Sequence, residues 1–276
     1  MTAGSRTAVE TARTYYNSDD ADTFYRTIWG GEDIHVGLYR EPDEDIAAAS
    51  RRTVEQMAAL VGVRADEQVL DLGSGYGGAA RHLARTHGAE VSCLNLSEVE
   101  NERNRAMTRE QGLDERISVT DGAFESLPFD DDRFDVVWSQ DAFLHSADRS
   151  QVIEEATRVL RPGGRIVFTD PMAADGADGD ALAPILARIQ LETMATPGFY
   201  RDTLAAAGAT AIAFEDHAEQ LPVHYGRVLD ELTERESELD GMVSPDYITR
   251  MKTGLQHWVD GGRAGNLAWG IFHARI

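Results

Sequence analysis

The sequence predicts an α/β fold, a mostly parallel sheet with helices on both faces and a ligand cleft beside its first strand. Three observations predict it. The stretch Val69–Gly78, V-L-D-L-G-S-G-Y-G-G, carries a short apolar run into Asp71 and then into Gly73, Gly75, Gly77 and Gly78. Residues without Cβ let backbone approach a ligand closely, as nucleotide clefts require. From Gln68 to Asp170, apolar runs alternate with helical patterns, which predicts parallel strands joined by right-handed crossovers. The chain has 276 residues, 42% of them hydrophobic, enough for one large domain or a domain with an insertion.

The N-terminal fifth is part of the fold. Thr11–Trp29 holds Tyr15, Tyr16, Phe24, Tyr25, Ile28 and Trp29, too aromatic for disorder. Phe24, Tyr25, Ile28 and Trp29 fall at helical spacing, and Gly30–Gly31 ends that helix. These aromatics either dock the segment on the core or cap a site. Ile34–Tyr39 reads as a short irregular segment. Asp45–Gly62 is predicted helical, with Ile46, Val54, Met57, Leu60 and Val61 on its apolar side.

Strands are then predicted at Gln68–Leu72, Glu90–Leu96, Ile117–Asp121, Phe134–Ser139 and Arg165–Asp170, with helices at Gly78–Thr86, Glu98–Gln111 and Ser150–Leu160. Pro162–Gly164 stops the last of these. Ala173–Asp180 reads as a surface loop, and Ala183–Met194 and Phe199–Ala207 as helices. Thr210–Glu215 and Asn266–Ala274 complete seven strands. Between them Gln220–Gly262 is polar and largely helical, and Gly261, Gly262 and Gly265 form a hinge-like turn. The organisation expected is a cap over 1–50, a core over 51–216 completed by 266–276, and a helical lid over 217–265.

Charge bounds the partners. The net charge is −22, which repels nucleic acid phosphates and anionic lipid. Lys252 is the one lysine, and the other 25 basic residues are arginine. An acid-rich, lysine-poor surface fits a protein that stays hydrated in concentrated salt, and also serves plain solubility. No apolar run is long enough to span a bilayer and no signal peptide is apparent, so a cytoplasmic protein is expected. Cys93 is the single cysteine, inside an apolar run, and reads as a buried inert thiol. No metal-ligand spacing, nucleophile elbow or P-loop lysine is present.

Gly73, Gly75 and Gly78 satisfy G-x-G-x-x-G, which alone would also fit a nicotinamide dinucleotide. Asp71 precedes the first glycine, and Asn95 ends the second strand, where a ribose partner belongs. Asp121, Ala123 and Phe124 follow the third strand in D-G-A-F-E-S-L-P-F, where an acid and a ring suit an adenine. With F-D-V-V-W-S-Q-D-A-F-L-H (Phe134–His145) and R-V-L-R-P-G-G-R-I-V-F-T-D (Arg158–Asp170), Val69–Asp170 resembles the class I methyltransferases that use S-adenosylmethionine (SAM). An acid usually ends the second strand in that superfamily, and Asn95 departs from the pattern.

The resemblance extends along nearly the whole chain. Tyr15–Tyr25, Ile28–Tyr39, Ala49–Val54, Leu94–Arg103, Trp138–Ser146, Leu221–Val228 and Ala268–His273 resemble the sarcosine and dimethylglycine N-methyltransferases of halophiles. That resemblance implies a Rossmann-like fold, SAM as cofactor without a metal, and small amines as substrates, with glycine betaine, an osmolyte, as product. It implies cofactor contacts from Tyr25, Asp71, Gly73, Ser74, Gly75, Asn95, Leu96, Asp121, Ala123, Phe124 and Gln140.

Methyl transfer from a sulfonium needs an aligned and deprotonated amine. His145, just past the fourth strand, is the first candidate for base or aligner; a cap on the next helix is its alternative. Tyr25 is the second candidate. Its segment resembles the N-terminal segment of phosphoethanolamine methyltransferases, in which a tyrosine closes over SAM and a histidine follows the fourth strand. A quaternary ammonium product would favour an aromatic cage from among Trp29, Tyr39, Phe143, Tyr200 and Tyr225. Its carboxylate calls for an arginine, with Arg52 placed in a plausible segment alongside Arg40, Arg51 and Arg201. Three rivals stay open: a methyltransferase for glycine or a phosphobase, a non-catalytic SAM sensor, and a nicotinamide oxidoreductase. Oligomeric state, monomer or dimer, is left open by sequence.

Overall fold

The computed structural model describes residues 10–11, 13–29, 31–189 (Arg188 by its backbone) and 191–276. The helix stop expected at Gly30 lies outside these residues. Helix α1 covers Asp19–Ile28 and α2 covers Ile46–Val61; β1 (Gln68–Leu72), α3 (Gly78–His87), β2 (Glu90–Asn95), α4 (Glu98–Glu110) and β3 (Ile117–Asp121) follow. Then come β4 (Phe134–Gln140), α5 (Arg149–Arg158), β5 (Leu160–Thr169), β6 (Met172–Ala173), α6 (Gly179–Ile189), α7 (Pro197–Ala206) and β7 (Thr210–Asp216). Helices α8 (Gln220–Glu234) and α9 (Pro245–Arg263) precede β8 (Leu267–Ala268) and β9 (Gly270–Arg275).

Seven strands form one sheet, as the sequence predicts, and their order is β3-β2-β1-β4-β5-β9-β7. The first five are parallel, and β9 runs antiparallel between β5 and β7. Strands covered on both faces read as unbroken apolar runs, which is why they are visible in sequence. Val69, Leu70 and Leu72 of β1 are fully buried. On one face Phe134, Phe143, Phe168, Tyr200 and Phe272 pack together, and on the other Val54, Met57, Leu83, Trp138 and Ile271. A third apolar cluster joins Phe24, Tyr25 and Trp29 of the N-terminal segment to Leu221, Tyr225 and Trp258 of α8 and α9. The segments expected as cap and lid thus share one core.

Several boundaries differ from expectation, among them the helix expected over Ala183–Met194, which spans Gly179–Ile189. The helix expected to reach Leu160 ends at Arg158, because Val159 O accepts the N–H groups of Arg133 and Phe134 and turns the chain into β5. The strand expected as Asn266–Ala274 breaks at Trp269. Its indole Nε1 donates to Asp141 Oδ1 (2.8 Å), so β8 pairs with β6 while β9 joins the main sheet. Met172–Ala173, at the start of the expected loop, is therefore a short strand. No helix among the described residues is long and apolar enough to cross a membrane.

Candidate active site

Parallel strands with short loops leave their carboxyl ends open, and three adjoining spaces lie at the ends of β1, β2 and β4. The first is a cleft of about 570 Å³ lined by Gly73, Gly75, Asn95, Leu96, Glu100, Phe124 and Gln140, with Tyr16, Asp141 and His145 at its other end. A side recess of about 310 Å³ is lined by Asp33, His35, Asp71, Ser74, Gly75 and Gln140.

The glycine loop makes this cleft. Gly73 N–H donates to Leu94 O (2.8 Å) with φ +75°, and Gly75 follows at φ +49°. A Cβ on Gly73 would overlap the Ala142 methyl group. Gly78 and Ala79, at the N-terminus of α3, line the side recess, and backbone N–H groups at a helix N-terminus favour anionic groups.

Asp71 is buried, and burial together with the nearby Asp33 charge pushes its carboxyl up to about 7. Its Oδ2 makes no hydrogen bond among the described residues. A buried carboxylate oxygen without a partner beside the cleft suits a cationic group.

At the end of β2, Asn95 Nδ2 donates to Glu100 Oε2 (2.8 Å), and both side chains line the cleft. Burial pushes the Glu100 carboxyl up to about 7. Sequence reasoning missed Glu100, although its signal was present: Ser97–Glu100 reads as S-x-x-E, a capping box. Ser97 Oγ does accept from Glu100 N (3.2 Å), but the Glu100 carboxylate turns to Asn95. An acid from the first turn of α4 thus stands beside Asn95 at the end of β2.

Phe124 reaches the cleft wall and packs its ring edge-on against Phe143, with centroids 6.0 Å apart. Asp121 and Ala123 are not on that wall. Asp121 accepts from Asn101 Nδ2 (2.7 Å) and Arg105 Nη2 (2.9 Å), a bracing role on the α4 side. Gln140 stands between cleft and recess. Its Oε1 accepts from Trp138 Nε1 (3.0 Å), which leaves its amide nitrogen facing His35 Nε2 at 3.0 Å.

A second cavity, of about 490 Å³, adjoins the cleft and is walled by Tyr16, Tyr25, Trp29, Tyr225 and Trp258. Ile34, Tyr16, Asp141 and His145 border both spaces. Tyr16 OH lies 2.8 Å from His145 Nε2. Tyr25, which the sequence paired with His145, lines the same cavity, and its hydroxyl lies 3.4 Å from that of Tyr15. Tyr16 was expected only as one of the N-terminal aromatics that dock or cap, and Trp258 and Asp141 were not singled out as site residues. Asp141 holds φ +50°, a conformation rare outside glycine, and its carboxylate accepts from Val36 N (2.7 Å) and Trp269 Nε1 (2.8 Å). It ties the N-terminal segment and the last strands to the end of β4.

The other expected cage members stand elsewhere. Tyr39 OH lies 2.9 Å from His224 Nδ1, behind the cavity wall. Phe143 is core packing, and Tyr200 OH donates to Asp170 Oδ2 (2.7 Å) inside the sheet face. Arg52 pairs with Glu44 and donates to Leu38 O. Among the described residues, no arginine or lysine lines the three spaces. Nor does any group of three or more His, Cys, Asp or Glu side chains among them fit a metal ion.

The strand order, the glycine cleft with its buried acids and the adjoining aromatic cavity define a class I methyltransferase that uses SAM. The methyltransferase domain family matches residues 70–168. The sarcosine/dimethylglycine N-methyltransferase of Halorhodospira halochloris is 61% identical over 97% of this chain and 96% of that protein. The glycine/sarcosine/dimethylglycine N-methyltransferase of Actinopolyspora halophila is also 61% identical over 97% of this chain, which spans about half (47%) of that protein's length. A crystal structure from Galdieria sulphuraria, assigned as a sarcosine dimethylglycine methyltransferase, superposes with a TM-score of 0.89 at 45% identity, covering 95% of this chain and 98% of that one. The chain belongs to the sarcosine/dimethylglycine N-methyltransferase family.

Proposed function

We propose that the protein methylates sarcosine and N,N-dimethylglycine in the aromatic cavity, with glycine betaine as end product. The observation that carries this reading is the shared border of cleft and cavity at Tyr16, Asp141 and His145. An acceptor seated among Tyr16, Tyr25, Trp29, Tyr225 and Trp258 therefore faces the cofactor cleft. Aromatic faces suit a methylated ammonium, each contact contributing about 0.5–2 kcal/mol.

Bound SAM supplies an electrophilic methyl carbon. Asp71 and Ser74 in the recess are read as holding its cationic amino-acid end, Asn95 and Glu100 its ribose, and Leu96 and Phe124 its adenine. His145 takes the proton of the acceptor ammonium at Nε2, beside the Tyr16 hydroxyl, so that the amine presents its lone pair. The rings align the amine nitrogen with the cleft, and alignment is the larger source of acceleration in such displacements. Residues 1–50 are read as a cap and 217–265 as a lid, in a cytoplasmic enzyme whose partners are small amines.

The test is product analysis by mass spectrometry with labelled SAM and, separately, glycine, sarcosine, dimethylglycine and phosphoethanolamine. Betaine formed from dimethylglycine, with phosphoethanolamine inert, is expected. Methylated phosphoethanolamine as the main product would move the substrate assignment, and SAM binding without transfer to any acceptor would make the protein a sensor.

A further inference from the structure

His145 sits in a three-residue 3₁₀ turn, Phe143–His145, after the end of β4. Such turns hold few internal hydrogen bonds and have poor bonding geometry, so their placement depends on neighbours. Here two buried charged groups grip the peptide groups of one residue. Leu144 N–H donates to Asp170 Oδ1 (2.9 Å), and Leu144 O accepts from Arg149 Nη2 (2.7 Å). Asp170, at the end of β5, is fully buried, and Arg149, at the start of α5, is nearly so. Each is fixed in turn: Asp170 Oδ2 accepts from Tyr200 OH (2.7 Å), and the Arg149 guanidinium donates to Thr193 O (2.8 Å) and Thr193 Oγ1 (3.2 Å).

We propose that Asp170 and Arg149 are positioning residues for His145, clamping the Leu144 peptide groups so that the imidazole stays aimed between cleft and aromatic cavity. Neither side chain lines the cleft, the recess or the aromatic cavity, so both act through the turn. Removing one such buried group also costs stability, so Tm is read beside kcat. What they supply is a fixed direction for a backbone segment too short to hold itself. The inference rests on the role proposed for His145.

The test measures turnover of dimethylglycine, SAM affinity by calorimetry and Tm for the full chain and its variants. Asp170→Ala is expected to lower kcat by roughly 30- to 100-fold, as a displacement near 1 Å does, with SAM Kd within about twofold of normal. Asp170→Asn keeps an oxygen for the Leu144 N–H and is expected to stay within about fivefold. Arg149→Leu, which frees the carbonyl side, should behave like Asp170→Ala and serves if that variant does not fold. The double variant Asp170→Ala/His145→Ala should be no slower than His145→Ala, since residues acting as a unit are non-additive. Additive losses, or a fall in Tm with unchanged kcat, would overturn the inference and leave the role of His145 standing. Normal turnover in His145→Ala would overturn it at its foundation.

Discussion

The Nε2 atom of His145 stands 2.8 Å from the phenolic oxygen of Tyr16, 129 positions away in the chain. The pair closes the border between the cofactor cleft and the aromatic cavity, with the N-terminal segment supplying one partner and the end of β4 the other. In the mechanism proposed above, these two groups would receive the proton of an acceptor in this cavity. Tyr16→Phe keeps the ring and removes only the hydroxyl. We expect kcat for dimethylglycine to fall roughly 10- to 100-fold, within the range of positioned proton transfer, and SAM Kd to stay within about threefold. Steady-state kinetics with calorimetry checks it, and equal losses in kcat and SAM affinity would assign Tyr16 to the cofactor instead.

Gly75 has φ +49°, and a Cβ there would stand 3.1 Å from Ile34 Cδ1. Gly75→Val adds strain of roughly 1–3 kcal/mol in the left-handed region and a branched side chain at the cleft wall. The expected result is SAM affinity weakened at least about tenfold, together with a lower Tm. Calorimetry that found SAM affinity unchanged would refute the placement of the cofactor beside this loop.

What could be read before the structure follows the range of the forces involved. The seven strands were legible as buried apolar runs bounded by local turn residues, and Gly73, Gly75, Asn95 and Phe124 lie within a few residues of strand ends. Tyr16 was named only as one of the N-terminal aromatics, and Trp258 and Asp141 not as site residues, because their place depends on how the N-terminal segment and α9 pack across the cleft. Glu100 was hidden behind a capping pattern whose carboxylate does something else. Tyr39, Tyr200 and Arg52 had the right chemistry for a binding wall, but His224, Asp170 and Glu44 take up their polar groups elsewhere. Composition names a side chain's capacity, while long-range packing decides which partner uses it.

Asp71 sets a pH dependence. Burial, and then the Asp33 charge, push its carboxyl up to about 7 from an unfolded value near 3.8. The native state without ligand therefore keeps a proton that the unfolded chain has released across that window. The stability this contributes is complete below the unfolded pKa and is lost as pH rises through about 7. Asp71→Asn should raise the Tm of the ligand-free protein at pH 8 relative to wild type, and weaken SAM binding there. Differential scanning calorimetry at pH 5 and pH 8 checks the sign, and a benefit confined to pH 5 would refute it.

The charge excess of −22 predicts a salt response. Self-repulsion among exposed carboxylates is screened as the Debye length falls from about 10 Å at 0.1 M to about 3 Å at 1 M. Exposed ion pairs such as Arg235–Glu238 and Arg105–Glu102 lose attraction too, but such pairs contribute only about 0–1 kcal/mol each. Repulsion is the larger effect, so Tm should rise between 0.1 M and 1 M potassium chloride. A Tm that falls over this range would show that the ion pairs outweigh the excess.

The aromatic cavity makes a prediction that separates charge from shape. Trp29, Tyr225 and Trp258 stand together on its wall, with the Tyr225 centroid 6.0 Å from Trp29 and 4.7 Å from Trp258. Replacing a ring removes both packing and cation–π attraction, so loss of affinity alone does not say which mattered. Glycine betaine and 3,3-dimethylbutanoate have nearly the same shape and the same carboxylate, and differ by a quaternary nitrogen in place of carbon. If ring faces hold the cation, wild-type protein loaded with S-adenosylhomocysteine should bind betaine roughly 2- to 30-fold more tightly than the neutral-headed analogue. Trp29→Leu should narrow that ratio more than it lowers affinity for the analogue. Competition calorimetry reads both numbers, and equal affinities in the wild type would mean that the wall selects its ligand by fit alone.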